Sequence, residues 1–282
     1  PSDKATLEFI VQAPSHYQVV ANGLLIEESN YKETIISHWK TIIPLPTKVM
    51  VIGIARFAKQ NYFGYNDLPI STWVYPQNKD AGFSDYQIAR NPIEFFSKHI
   101  ATFPFEKLAN VQSNTIYGGM ENAGCIFYAE RSVNGKNTQE GLFAHEIAHQ
   151  WFGDAVSELD WPHLWLSEGF ATYFTGLYIE HQKGETEFKE WMQKQKQKVI
   201  RYANHKLNPV VDTNAIVSIG LLNANTYQKG AWVLHMLRKE LGDEVFWKCI
   251  KNYYTKYKHK NATTEDFIQI VETVSGKDLN HF

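Results

Sequence analysis

The stretch of this chain best suited to chemistry is His145-Glu146-Ile147-Ala148-His149, two histidines four residues apart with a glutamate beside the first. On a helix such a pair differs by about 40° in azimuth and by one turn in height, so both imidazoles can reach a single metal ion. Glu146 sits where it can contact a water at that metal without taking a ligand position. Eighteen residues then separate His149 from Glu168, in Leu164-Trp165-Leu166-Ser167-Glu168-Gly169-Phe170-Ala171. A second helix that starts near Ser167 and runs antiparallel to the first presents Glu168 at its N-terminal end. Two imidazoles and one carboxylate leave one tetrahedral position open, which is the catalytic rather than the structural zinc arrangement. A structural site takes four protein ligands, usually with cysteine. Cys125 and Cys249 lie far apart, show no CxxC spacing and read as two buried thiols. The expected cofactor is one Zn2+ per chain.

The elements that must position these residues follow from periodicity. The chain has 282 residues, 44% of them hydrophobic and 14% aromatic, enough for a substantial core. The first 60 residues alternate between short apolar runs and turn signals. Thr6–Val11, Gln18–Ala21, Leu24–Ile26, Thr34–Trp39 and Val49–Phe57 read as strands of an antiparallel unit, with Asn22-Gly23 as a hairpin turn. From Asp85 the period becomes helical through Ile88, Ile93, Phe95, Phe96 and Ile100, with Pro92 able to begin a second helix. Leu108–Gln112 reads as a strand. Residues 139–181 carry two helices separated by an aromatic loop, and Thr186–Arg201 carries another. The last third is helical, with Gly242 between two helices and Thr263-Thr264-Glu265-Asp266 as the N-terminal cap of the final one, which runs to Val274 with Gly276 after its end. These signals divide the chain into a β region over 1–60, a linker over 61–84 and a catalytic domain over 85–282.

The formal net charge of −2 carries no basic excess of the kind nucleic acid requires. No run of 18 apolar residues marks a membrane segment in this chain. Compartment is left open. With Pro1 leading directly into strand-like sequence and Phe282 closing on the start of another element, the chain reads as a fragment of something longer.

Three motifs in this order and spacing are highly specific: Gly118-Gly119-Met120-Glu121-Asn122, the His145–His149 pair with Glu168, and Tyr227-Gln228-Lys229-Gly230. Through them the chain resembles the gluzincin aminopeptidases, the aminopeptidase N type of zinc peptidase, over most of its length. The resemblance implies an α+β fold: a thermolysin-like catalytic domain preceded by the end of a β-rich, sandwich or saddle domain. It implies hydrolysis of the N-terminal peptide bond, with Glu146 as general base and Tyr227 stabilising the oxyanion. It makes Glu121 the carboxylate that binds the substrate's free amine, with the backbone of Gly118 through Asn122 lying along the substrate. The partners it implies are peptides with a free N-terminus. It also implies packing against N-terminal and C-terminal domains outside this sequence, the former lending a further polar side chain to the same ammonium.

Other residues carry weaker readings. His163 reads as packing or support for the site rather than a fourth ligand. Glu130 and Arg131 read as a structural ion pair. Trp151, Phe152, Trp161, Trp165 and Phe170 read as core rather than as a substrate cage. Three rival functions stand beside the aminopeptidase: a zinc endopeptidase, an epoxide hydrolase of the same fold and an inactive binding scaffold. Retention of His145, Glu146, His149 and Glu168 together argues against the last.

Overall fold

A computed structural model describes residues 1–214 and 218–282, and its backbone contacts divide the chain into two compact units. The first comprises Asp3–Ser97 and Thr102–Gln150; the second comprises Pro1–Ser2, Lys98–Ala101 and Trp151–Phe282.

The first unit opens with strands β1 (Lys4–Ala5), β2 (Glu8–Pro14), β3 (Gln18–Ala21), β4 (Leu24–Tyr31), β5 (Thr34–Lys40), β6 (Leu45–Pro46) and β7 (Ile52–Ala55). All their pairings are antiparallel: β2-β5-β4 in one sheet, β3 with β7 and β1 with β6. The turn at Asn22-Gly23 is present, with Gly23 at φ +75°, yet it closes no hairpin, because β3 and β4 pair elsewhere. Two facts account for this. A Cβ at Gly23 would stand 2.2 Å from the Lys40 carbonyl oxygen. The Asn22 amide, fully buried, donates to the Val49 and Ala123 carbonyls and accepts from Val51 N–H. The turn is thus drawn into the interior, where a solvated two-residue loop would sit outside.

A five-stranded sheet follows, built from β8 (Ala58–Phe63), β9 (Pro69–Val74), β10 (Leu108–Ser113), β11 (Gly119–Met120) and β12 (Cys125–Ala129) in the order β11-β12-β10-β9-β8. The central strands β9, β10 and β12 are parallel; β8 and β11 run antiparallel at the edges. Residues 108–112 are all buried, as parallel strands covered on both faces must be. Helices α1 (Lys79–Tyr86) and α2 (Arg90–His99) connect β9 to β10, with Pro92 in the first turn of α2. Helix α3 (Glu140–Ala148) closes the unit.

The second unit contains β13 (Val156–Glu158), α4 (Trp165–Lys183), α5 (Glu185–Ala203), α6 (Gly230–Leu241), α7 (Asp243–Tyr257), β14 (Lys260–Ala262) and α8 (Thr264–Ser275). Helix α4 is buried at every position from Trp165 to Tyr178 and forms the unit's spine. Phe170 meets Phe152 at 4.9 Å, Phe267 at 5.2 Å and Tyr253 at 5.7 Å between ring centroids. Gly184 and Gly242 take positive φ between helices, and Thr263 forms a full capping box with Asp266 ahead of α8. Both cysteines are buried free thiols, and no described helix is long and apolar enough to cross a membrane.

Candidate metal centre and substrate cleft residues

Helix α3 is pinned to the sheet by aromatic packing. Phe143 stacks on Tyr128 of β12 with centroids 4.3 Å apart and meets Tyr86 edge-on at 5.0 Å. The hydroxyl of Tyr128 donates to Asn110 Oδ1, and that of Tyr86 pairs with Ser132 Oγ at 2.7 Å. Burial raises both phenols well above the usual tyrosine range, so they stay neutral. Ahead of the helix, Asp85 accepts backbone N–H bonds from Asn134, Gly135 and Asn137, fixing the loop that leads into α3.

On this support His145 is half-buried while Glu146 and His149 are buried. The Nε2 atoms of His145 and His149 lie 3.2 Å apart with their rings at 90°. Two nitrogens bound to one tetrahedral zinc at 2.0–2.1 Å stand about 3.3 Å apart, so the imidazoles converge as a shared metal requires. Within the first unit Glu121, Glu146 and His149 each offer one ligand atom, and these atoms all lie within 4.8 Å of one another. Glu168 lies in the first turn of α4 and is 7% exposed. The donor set of two imidazoles and one carboxylate suits zinc.

The Gly118–Asn122 motif is an edge element. Gly119 and Met120 form β11, paired antiparallel with Tyr128 and Phe127. Gly119 has to be small: a Cβ there would lie 2.5 Å from the Glu146 carboxyl carbon. Glu121 follows the strand, half-buried, and Asn122 is buried. Tyr227 lies on a π-helical turn, Asn225–Lys229, a backbone form concentrated at functional sites. Two asparagines hold that turn. Asn223 Oδ1 accepts from Asn225 N–H, and the Asn225 amide donates to the Asn208 carbonyl at 2.7 Å. Gly230 packs directly on Gly169, the residue after Glu168; a Cβ on Gly169 would stand 3.0 Å from Gly230 Cα and 3.1 Å from Thr226 O.

His163 turns to the N-terminus of α8, where Nδ1 meets Thr264 Oγ1 at 2.9 Å. The aromatic group is core except Trp161, which is 37% exposed. Glu130 and Arg131 are both exposed. Gln150, Asn223, Asn225 and Asp85 make hydrogen bonds that the sequence motifs do not announce. A buried polar residue immediately after His149 is the one available signal.

Residues 85–282 match the Peptidase family M1 domain, and the chain belongs to that family. The aminopeptidase M1 of Arabidopsis thaliana is 28% identical over 297 residues, covering 99% of this chain and 33% of that protein. The glutamyl aminopeptidase of Sus scrofa is 26% identical over 98% of this chain and 31% of its own length. An M1 zinc metallopeptidase of known structure from Deinococcus radiodurans superposes with a TM-score of 0.80 at 23% identity, over 97% of this chain and 61% of that one. The chain thus spans about a third of the length of the curated relatives it matches.

Proposed function

We propose that this chain is the catalytic core of an aminopeptidase that removes single residues from peptide N-termini. The observation that carries the reading is the Glu121 carboxylate, which lies within 4.8 Å of the ligand atoms of Glu146 and His149. A carboxylate beside the general base holds a substrate ammonium by charge and hydrogen bond where water is scarce. It thereby limits how far a peptide can extend on that side of the reacting bond, which makes cleavage exo rather than endo.

His145, His149 and Glu168 are the residues that would hold zinc. When bound, zinc supplies Lewis acidity that lets water attack a peptide carbonyl near neutral pH. Glu146 takes the proton from the attacking water and delivers it to the departing amine. The Tyr227 hydroxyl donates to the oxyanion, a role that suits a phenol held on a rigid turn. Backbone groups of Gly118 to Asn122, on an unpaired sheet edge, align the substrate as an added strand. The relatives' additional chain is proposed to pack against this core.

The test is product mass spectrometry on one short peptide, offered with a free and with an acetylated N-terminus. Stepwise loss of single residues from the free peptide alone is expected. Internal cleavage of both peptides would mean an endopeptidase and would remove Glu121 from its role.

A further inference from the structure

We propose that Gln150 is the positioning residue that holds Glu121 in place for the substrate ammonium, an inference that rests on the aminopeptidase reading above. Gln150 follows His149 directly and is fully buried. Its Oε1 accepts from Gly124 N–H at 2.7 Å, and its Nε2 donates to the Glu121 carbonyl at 3.0 Å. One planar carboxamide therefore ties both ends of the Glu121–Gly124 segment to the residue that continues from the metal-binding helix.

The rest of this segment is anchored on other parts of the unit. The Asn122 carbonyl accepts from Cys125 N–H, and the Ala123 carbonyl from the Asn22 amide at 2.7 Å. The Gly124 carbonyl accepts from Ala109 N–H and from the buried Lys107 ammonium at 2.8 Å. Every carbonyl from Glu121 to Gly124 has a donor, and the one that serves Glu121 itself comes from Gln150. Because Gln150 is joined by one peptide bond to His149, it transmits the position of that imidazole to the backbone of Glu121. The carboxamide is used as donor and acceptor at once. A glutamate keeps the acceptor for Gly124 but sets a second acceptor against the Glu121 carbonyl; a methionine leaves both backbone groups buried without this partner.

The experiment uses the zinc-loaded protein, with L-tryptophan and N-acetyl-L-tryptophan as calorimetric probes and a free-amine aminoacyl anilide as substrate. Gln150→Met, Gln150→Glu and Glu121→Gln are compared with the unsubstituted chain. Both Gln150 variants are expected to retain one zinc and to lose about 10-fold in affinity for the free amino acid, as removal of one buried hydrogen bond implies. Binding of the acetylated probe stays as it was. KM for the anilide rises about 10-fold while kcat changes less than about threefold. Exchange of the Gly124 amide hydrogen accelerates in Gln150→Met and stays slow in Gln150→Glu. Unchanged free-amine affinity in a folded Gln150 variant, or loss of zinc with kcat falling at constant KM, overturns the proposal, because Gln150 then serves the helix and not Glu121. A Glu121→Gln variant that binds the free amino acid normally has a different signature: the ammonium reading fails first, and the role of Gln150 falls with it.

Discussion

In the first unit the reactive groups are held by hydrogen bonds and aromatic stacking at a sheet edge; in the second they are held by close backbone contact between helical segments. Glu146 and His149 ride on α3, which Tyr86, Tyr128 and Phe143 lock to the sheet, and Glu121 leaves a two-residue edge strand paired to Tyr128 and Phe127. Glu168 and Tyr227 instead sit on either side of a glycine-on-glycine contact, Gly169 against Gly230, with asparagines fastening the π-helical turn. Directional bonds tolerate small shifts in packing. A contact at van der Waals limits tolerates none, so the second arrangement is the more exposed to one added methyl group.

Five substitutions can break or sharpen that contrast. The largest effect is expected from Glu146→Gln, which removes the proposed proton carrier and keeps the shape. Turnover should fall about 10²–10⁴-fold, with zinc content unchanged by atomic absorption. A variant that retained turnover would show that the first unit holds Glu146 for some other purpose. Tyr227→Phe comes next, with kcat lowered about 10²–10³-fold, KM nearly unaffected and zinc kept. Near-normal turnover there would take the π-helical turn out of the chemistry.

Gly169→Ala tests the packing itself. The added Cβ meets backbone at 3.0 Å on Gly230 Cα and 3.1 Å on Thr226 O of the adjoining turn, so a loss of about 1–3 kcal/mol in stability is expected, read as a lower melting temperature. If Tyr227 is positioned through this contact, kcat falls as well. A variant of unchanged stability and activity would mean the two segments part without cost. By contrast Asp85→Asn keeps one neutral acceptor oxygen and sets its NH2 against the loop N–H groups served by the other, so the loop ahead of α3 loosens, read as faster exchange of those amide hydrogens.

The smallest effect is a pH dependence confined to the second unit. Burial, helped by the neighbouring Lys239 and Arg238 charges, lowers the His235 imidazole to about 4. An unfolded chain takes up this proton near the ordinary value of about 6.5. Between these values the unfolded state binds more protons, so stability falls as pH drops from about 6.5 toward 4. His235→Gln is expected to flatten that part of the melting-temperature profile. An identical slope in the variant would assign the acid sensitivity to other groups.

The paired imidazoles were legible in the sequence because their spacing is tied to local geometry. A spacing of four on a helix brings two imidazoles to one point whatever surrounds them, and their Nε2 atoms do converge at 3.2 Å. The cap within Thr263–Asp266 and the glycines at 242 and 276 are equally local signals and appear where expected. The hairpin expected at Asn22-Gly23 does not form, because the local signal fixes the turn but not the partners of the flanking strands. Gly23 turns as anticipated, but the buried Asn22 amide binds Val49 and Ala123, and the flanking strands take other partners.

What the sequence determined by itself, then, was the local pairing of two imidazoles four residues apart on one helix, which follows from residue type and helical spacing, while the expectations for Glu121 and Tyr227 came from resemblance to a family. Tertiary structure decided the supports: the Gln150 bridge to Glu121, the closeness of Gly119 to Glu146, the Gly169–Gly230 contact and the π form of the Tyr227 turn. Each joins segments separated in sequence, and the energy of such a contact depends on distances that no periodicity encodes until the chain has packed.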